Sequence, residues 1–206
     1  MKRLQHGLSM IEIAVVLVVV AILMAQASPS FTVWIHNAQI RTATESMQNG
    51  LQLARSEAIR RNRSVIFWLT SAAAPQAADW LVGCATPSGA GAQPEAAGDC
   101  PGQLVANGVP GFGPPTFNYI QRQNAADQQT TFPQVSTPNG ASYVTFSSLG
   151  LVTPNVDGSA SITEIDVADP TIPTAQARPL HVLVSGGQIR MCDPALTLAN
   201  DPRGCT

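Results

Sequence analysis

An α+β protein is expected, in which a long, kinked N-terminal helix packs on a head made of a mainly antiparallel β-sheet. Three observations predict it. Residues 13–25 read IAVVLVVVAILMA without a polar side chain. From Phe31 to Asn62 there is no proline and one glycine, Gly50, and apolar residues recur at three- and four-residue steps, the period of a helix with one buried stripe. After Asn62 the pattern changes to short β-branched and aromatic runs punctuated by turn residues.

Length and composition allow one compact domain with an appendage, because 206 residues with 45% apolar side chains suffice for a core. The formal net charge is −2. Removing a seven-residue leader containing Lys2 and Arg3 would leave 9 basic and 13 acidic residues, or −4. No global basic excess points to a polyanion-binding protein. The charge is nevertheless uneven, with Arg41, Arg55, Arg60, Arg61 and Arg63 crowded into one stretch.

The first element is the apolar run. From Leu8 to Ala27 only Ser9, Glu12 and Gln26 are polar, which gives about the 20 residues a helix needs to cross the hydrocarbon core. Lys2 and Arg3 precede it and no basic residue follows until Arg41, so the positive-inside bias holds the N-terminus in the cytoplasm and the bulk of the chain outside. Ala25-Gln26-Ala27 also fits a small-x-small signal-peptidase site, and a cleaved secretory signal is the competing reading. Glu12 opposes it, since a carboxylate within an apolar segment costs about 2.5 to 3.5 kcal/mol on insertion scales and calls for a partner.

Residues Gly7-Leu8-Ser9-Met10-Ile11-Glu12 resemble the processing signal of type IV prepilins. The resemblance implies the pilin fold, cleavage after Gly7 by the prepilin peptidase, methylation of the new N-terminus at Leu8, and Glu12 as fifth residue of the mature chain. There Glu12 would pair with the N-terminal ammonium of a neighbouring subunit during assembly, compensating two charges in a low-dielectric bundle. Leu8 departs from the usual phenylalanine.

Pro29 follows the apolar run, and its ring should kink, loosen or end the helix by removing one backbone hydrogen bond. In the second half, Ile40, Ala43, Met47, Leu51, Ala54 and Ala58 form the expected buried stripe. A single kinked helix from Leu8 to Asn62 would extend about 80 Å at 1.5 Å per residue. Its closing stretch, Ala54-Arg55-Ser56-Glu57-Ala58-Ile59-Arg60-Arg61-Asn62, resembles the helix end of the FimT, FimU and GspH group of minor pilins and pseudopilins. Arginines there also complement the negative end of the helix dipole.

In the head, strands are expected at Ser64–Thr70 and Trp80–Cys84, and residues 85–115, rich in glycine and proline, read as a loop. Three hairpins are predicted: at Asn139-Gly140 between Thr130–Val135 and Ser142–Phe146, at Asp157-Gly158 before Ser161–Val167, and at Gly186-Gly187 between His181–Val184 and Gln188–Cys192. The four cysteines, Cys84, Cys100, Cys192 and Cys205, contain no C-x-x-C pair and no histidine at metal-ligand spacing, so disulfides are expected in place of zinc. Three pairings are open. Local closure, Cys84 with Cys100 and Cys192 with Cys205, needs the least chain organisation, and each loop would stabilise by roughly 3 kcal/mol. Phe146-Ser147-Ser148-Leu149-Gly150 resembles the Phe-x-x-x-Gly stretch of the same pilin group, and the run from Cys192 to Cys205 resembles the C-terminal disulfide loop of its pilus members.

Four segments are therefore expected: leader 1–7, membrane or filament-core helix 8–29, amphipathic helix 30–62 and head 63–206. Neither a cofactor nor catalysis is expected. His36 and His181 lie in a helix and a strand with no Gly-x-Ser-x-Gly nearby, there is no G-x-x-x-x-G-K loop, and the one lysine is Lys2. The family resemblance implies as partners other minor and major pilins, the prepilin peptidase and the inner-membrane assembly platform. It implies a single-pass inner-membrane protein with a periplasmic head that later enters a filament. Three functions stand open: minor pilin in a tip-located complex that initiates type IV pilus assembly, GspH-like pseudopilin of type II secretion, or DNA-binding pilin for natural transformation. Some FimT members bind DNA through a Gly-Arg-x-Arg motif. The matching residues here are Gly187-Gln188-Ile189-Arg190, so Gln188 removes one phosphate-neutralising charge and leaves Arg190 and Arg203 as candidate contacts beside Asp193 and Asp201.

Overall fold

The computed structural model describes residues 9–69, 76–84, 103–104, 118–123, 133–155 and 158–205, with the side chains of residues 25–30, 76–77, 103–104 and 118 outside the description. The chain divides into two compact units, Met1–Ile35 and His36–Thr206. Helix α1 (Met10–Arg61) runs through Pro29 without a break in its helical assignment.

Within the second unit, α1 buries the stripe its periodicity predicts. Ile40, Met47, Leu51, Ala54 and Ala58 are inaccessible to solvent and Ala43 nearly so, the larger side chains each contributing about 1.5 to 3 kcal/mol of burial. Gly50 lies on this stripe because the helix sits very close to two aromatic rings. A Cβ there would stand 2.8 Å from Phe67 and 2.9 Å from Trp80. The Trp80 indole N–H, which needs a partner once covered, donates to Ser46 Oγ at 3.0 Å.

The helix ends one residue earlier than expected. Asn62 adopts φ 52°, and two hydrogen bonds close the turn: Asn62 N–H to the Ile59 carbonyl and Arg63 N–H to the Ala58 carbonyl, both 3.2 Å. This is a Schellman cap, and asparagine tolerates its left-handed position better than other non-glycine residues.

Two five-stranded antiparallel sheets form the head. The first has β1 (Val65–Leu69) at its centre, flanked by β3 (Trp80–Cys84) and β8 (Tyr143–Phe146), with β6 (Gln121–Gln123) and β9 (Val152–Thr153) at the edges. The second runs β12 (Gln188–Cys192), β11 (Leu180–Ser185), β10 (Glu164–Ala168), β7 (Gln134–Ser136) and β2 (Gln76–Ala77). A short pair, β4 (Gln103–Leu104) with β5 (Asn118–Tyr119), stands apart. In the first sheet β1 and β3 are apolar on both faces. Val65, Phe67, Leu69 and Val82 are buried, while on the opposite face Ile66, Trp68 and Tyr143 cluster, the two rings of the last pair stacked at 5.0 Å. The second sheet alternates, with Ile165, Val167, Val182 and Val184 buried and Glu164, Asp166 and His181 on the face between them.

Of the three predicted hairpins only Gly186-Gly187 joins paired strands, with φ of 58° and 112° as a tight turn requires. Asn139-Gly140 instead carries the chain from the second sheet to the first, since β7 pairs with β10 and β8 with β1. Asp157 and residues 130–132 lie outside the described residues, and Gly158 sits on the return crossing, between β9 and β10. The physical reason is a buried asparagine. Asn155 accepts from Thr145 Oγ1 at 3.0 Å and donates to the Ala160 carbonyl at 3.0 Å and Ser159 Oγ at 3.2 Å, so it closes the crossing that a strand ladder would otherwise have closed. The Asn139 amide likewise donates to the Ser161 carbonyl at 2.8 Å.

Alanine favours helix over glycine by about 1 kcal/mol. Gly50→Ala is nevertheless expected to lower stability by about 1 to 3 kcal/mol, because the added methyl overpacks against Phe67 and Trp80. Urea unfolding checks this, and an unchanged or raised midpoint would contradict the close approach.

Candidate functional site

The N-terminal unit presents an apolar helix with one capped end. Gly7 and Leu8 lie outside the described residues. Ser9 caps α1: its carbonyl accepts the N–H groups of Glu12 at 3.0 Å and Ile13 at 3.2 Å, and its hydroxyl accepts that of Ile11 at 3.4 Å. Glu12 therefore occupies the third helical position, where Ser-x-x-Glu has capping-box spacing and a carboxylate meets the positive end of the helix dipole. All residues from 10 to 24 are exposed, the large apolar ones from 38% at Val20 to 92% at Met10, an apolar surface far beyond that of an ordinary soluble monomer. Among the described residues no helix is long and apolar enough to cross a membrane; Leu8 and residues 25–27, which extend the run in the sequence, are outside the side-chain description. Phe31 and Trp34 meet edge to face at 6.2 Å and are both about two-thirds exposed.

At the other end of the chain, Cys192 and Cys205 form a disulfide with Cα atoms 5.0 Å apart. The enclosed loop is tied to itself and to β12. Asp193 N–H donates to the Arg203 carbonyl at 2.7 Å, and the Asp193 carboxylate accepts from Ala195 N–H at 2.9 Å. Arg190 donates to the carbonyls of Gly204 at 3.0 Å and Cys205 at 3.1 Å. Arg203 grips Asp201 through Nε at 3.0 Å and a terminal nitrogen at 2.8 Å, which pushes the Asp201 carboxyl down to about 2. Gly204 has no room for a side chain, since a Cβ would stand 2.6 Å from the Leu198 amide nitrogen. Thus both arginines singled out for nucleic acid, Arg190 and Arg203, have their guanidinium groups engaged within the loop. Cys84 is disulfide-bonded, while Cys100 lies outside the described residues.

A second glycine-built corner explains the helix-end and Phe-x-x-x-Gly stretches. Gly150 (φ 73°) leaves its carbonyl free to accept Arg55 Nε at 3.1 Å. Gly187 packs against the same carbonyl, which a Cβ would approach to 2.5 Å. Arg60 and Arg61 converge on Glu57, at 2.5 Å and 2.7 Å, and hydrogen bonding from Arg60 first, then Arg61, holds the Glu57 carboxyl below its usual range against the opposing effect of burial.

Two histidine pairs escaped the sequence reading because their partners are distant in the chain. His36 Nδ1 lies 2.5 Å from Oδ2 of Asp169, whose side chain is fully buried. Burial alone would raise that carboxyl, but the Thr171 hydroxyl and N–H, then His36, outweigh it and hold the carboxyl below its ordinary value. His181 Nδ1 lies 2.6 Å from Glu164 Oε1 and 3.4 Å from Asp166 Oδ1. Burial raises the Asp166 carboxyl, His181 lowers it and Glu164 raises it again, the net direction being upward.

A long helix whose second half packs on antiparallel sheets, with an exposed apolar first half, defines a pilin-like protein. Residues 43–188 match the family described as Type II transport protein GspH, and the chain belongs to that family. It is similar in structure to the type IV minor pilin FimU of Pseudomonas aeruginosa in two crystal forms. One has 16% identity over 81% of this chain and 99% of the other, with a TM-score of 0.42; the second has 17% identity over 82% and 96%, with a TM-score of 0.44. No curated protein sequence matches.

Gly204→Ala is expected to prevent native closure of the loop, read as incomplete Cys192–Cys205 oxidation in non-reducing peptide mass maps. The depressed Asp169 carboxyl stabilises the head above its unfolded value near 3.9, and that contribution is lost as pH falls through the lower folded value. Urea midpoints of the intact chain should therefore fall more steeply below about pH 4 than those of Asp169→Asn; parallel curves would contradict the assignment.

Proposed function

We propose that this chain is a structural minor pilin of a type IV pilus that helps to initiate assembly in a tip-located complex. The observation that carries this reading is the Cys192–Cys205 loop held against β12, together with the exposed apolar helix that a filament core would cover. In this proposal residues 1–7 are a leader cut between Gly7 and Leu8, residues 8–29 the membrane and filament-core helix, 30–62 the amphipathic half and 63–206 the head. Glu12 is the assembly residue, pairing with the N-terminal ammonium of a neighbour, and Pro29 the kink. The protein sits in the inner membrane with a periplasmic head before it enters the filament. Its partners are other minor and major pilins, the prepilin peptidase and the assembly platform. It carries no catalytic site.

The matched family, Type II transport protein GspH, favours a second reading, a minor pseudopilin of type II secretion. Deletion with complementation separates the two: lost surface pili with intact secretion supports the first, and the reverse outcome supports the second. Arg190 and Arg203 each commit two guanidinium donors within the loop, which weighs against the DNA reading.

Intact mass of the membrane-extracted protein is expected to show a methylated chain starting at Leu8. A soluble product starting at Ser28 would overturn the reading. Glu12→Ala is expected to leave processing intact while reducing incorporation into filaments at least tenfold, measured by immunoblot of sheared fractions.

A further inference from the structure

We propose that Glu164, Asp166 and His181 form a binding site for one divalent transition-metal ion of the zinc class. Glu164 and Asp166 are two apart on β10 and so share a face, and His181 of β11 stands directly opposite Asp166 in the register. The three donor atoms all lie within 4.8 Å of one another.

As an ion-pair cluster the arrangement is incomplete. A single imidazole nitrogen faces two carboxylates; Glu164 Oε1 takes it at 2.6 Å, and Asp166 Oδ1 stays at 3.4 Å. That oxygen is buried and, among the described residues, has no hydrogen-bond partner, a costly state for a carboxylate. A dication placed among the three would satisfy both carboxylates and the nitrogen at once and cancel the two negative charges.

The donor set selects the ion. One imidazole with two carboxylates suits zinc and its neighbours, whereas calcium and magnesium prefer all-oxygen shells of six or more ligands. Ligand bonds of about 2.0 to 2.2 Å in a tetrahedron separate donor atoms by about 3.3 Å. The His181–Asp166 distance already fits, and the His181–Glu164 distance must open by under 1 Å. Side-chain exposures of 20% for His181, 32% for Glu164 and 29% for Asp166 leave a fourth position open to water. Because the ligands lie on two strands, the ion would pin β10 to β11.

The test uses untagged, full-length protein in detergent, titrated with Zn2+ in competition with a chromophoric chelator. Wild type is expected to bind one Zn2+ with micromolar or tighter affinity and to melt at higher temperature with Zn2+ than without. Asp166→Asn keeps the shape of the side chain and should fold as the wild type does, yet bind Zn2+ at least tenfold more weakly and lose the thermal shift. His181→Ala should behave likewise, whereas His36→Ala should retain binding. Absence of stoichiometric binding to wild type, or undiminished binding by Asp166→Asn and His181→Ala, would overturn the proposal.

Discussion

The seam along which the second half of α1 lies on the first sheet governs the head. Its closeness follows from a missing side chain: at Gly50 the helix backbone comes down on the rings of Phe67 and Trp80. That approach puts Met47, Leu51 and Ala54 in the core and orders the strands behind them, since β1 carries Phe67 and pairs with both β3 and β8. Small residues on one helix face and large rings on the facing strands are complementary halves of one packing solution.

Polar residues then fix where the rest of the chain may go. Arg55 holds the Gly150 turn, and the Gly186-Gly187 hairpin fits against that turn, so helix end, first sheet and second sheet meet at one carbonyl. Asn155 and Asn139 close the crossings between the sheets, and His36 with Asp169 ties the start of the packed helix to the segment after β10. The buried members of this set, Asn155 and Asp169, are hydrogen-bonded, as buried polar groups must be.

The N-terminal unit obeys the opposite rule. Its helix is capped by Ser9, yet its large apolar side chains from Met10 to Met24 are exposed among the described residues. A contiguous exposed apolar surface of that size marks an interaction surface, consistent with membership of a pilin-like family.

Periodicity alone determined the long helix, its buried stripe from Ile40 to Ala58, the β-rich head and the Gly186-Gly187 hairpin, because these depend on repeats of 3.6 and 2 residues and on local backbone preference. The helix end was legible to within one residue; its left-handed cap at Asn62 was not, since the arginines around it looked equally helical. Tertiary structure decided which turns joined paired strands, as Asn139-Gly140 has hairpin chemistry but flanks strands whose partners lie elsewhere. It also decided what the charges do. In the sequence, Arg190 and Arg203 read as candidate DNA contacts beside Asp193 and Asp201, and His181 as a strand residue. In the fold Arg190 donates to the carbonyls of Gly204 and Cys205 and His181 meets Glu164 and Asp166, because contacts between residues 14 to 17 positions apart depend on chain reversal and strand register, which no local pattern encodes.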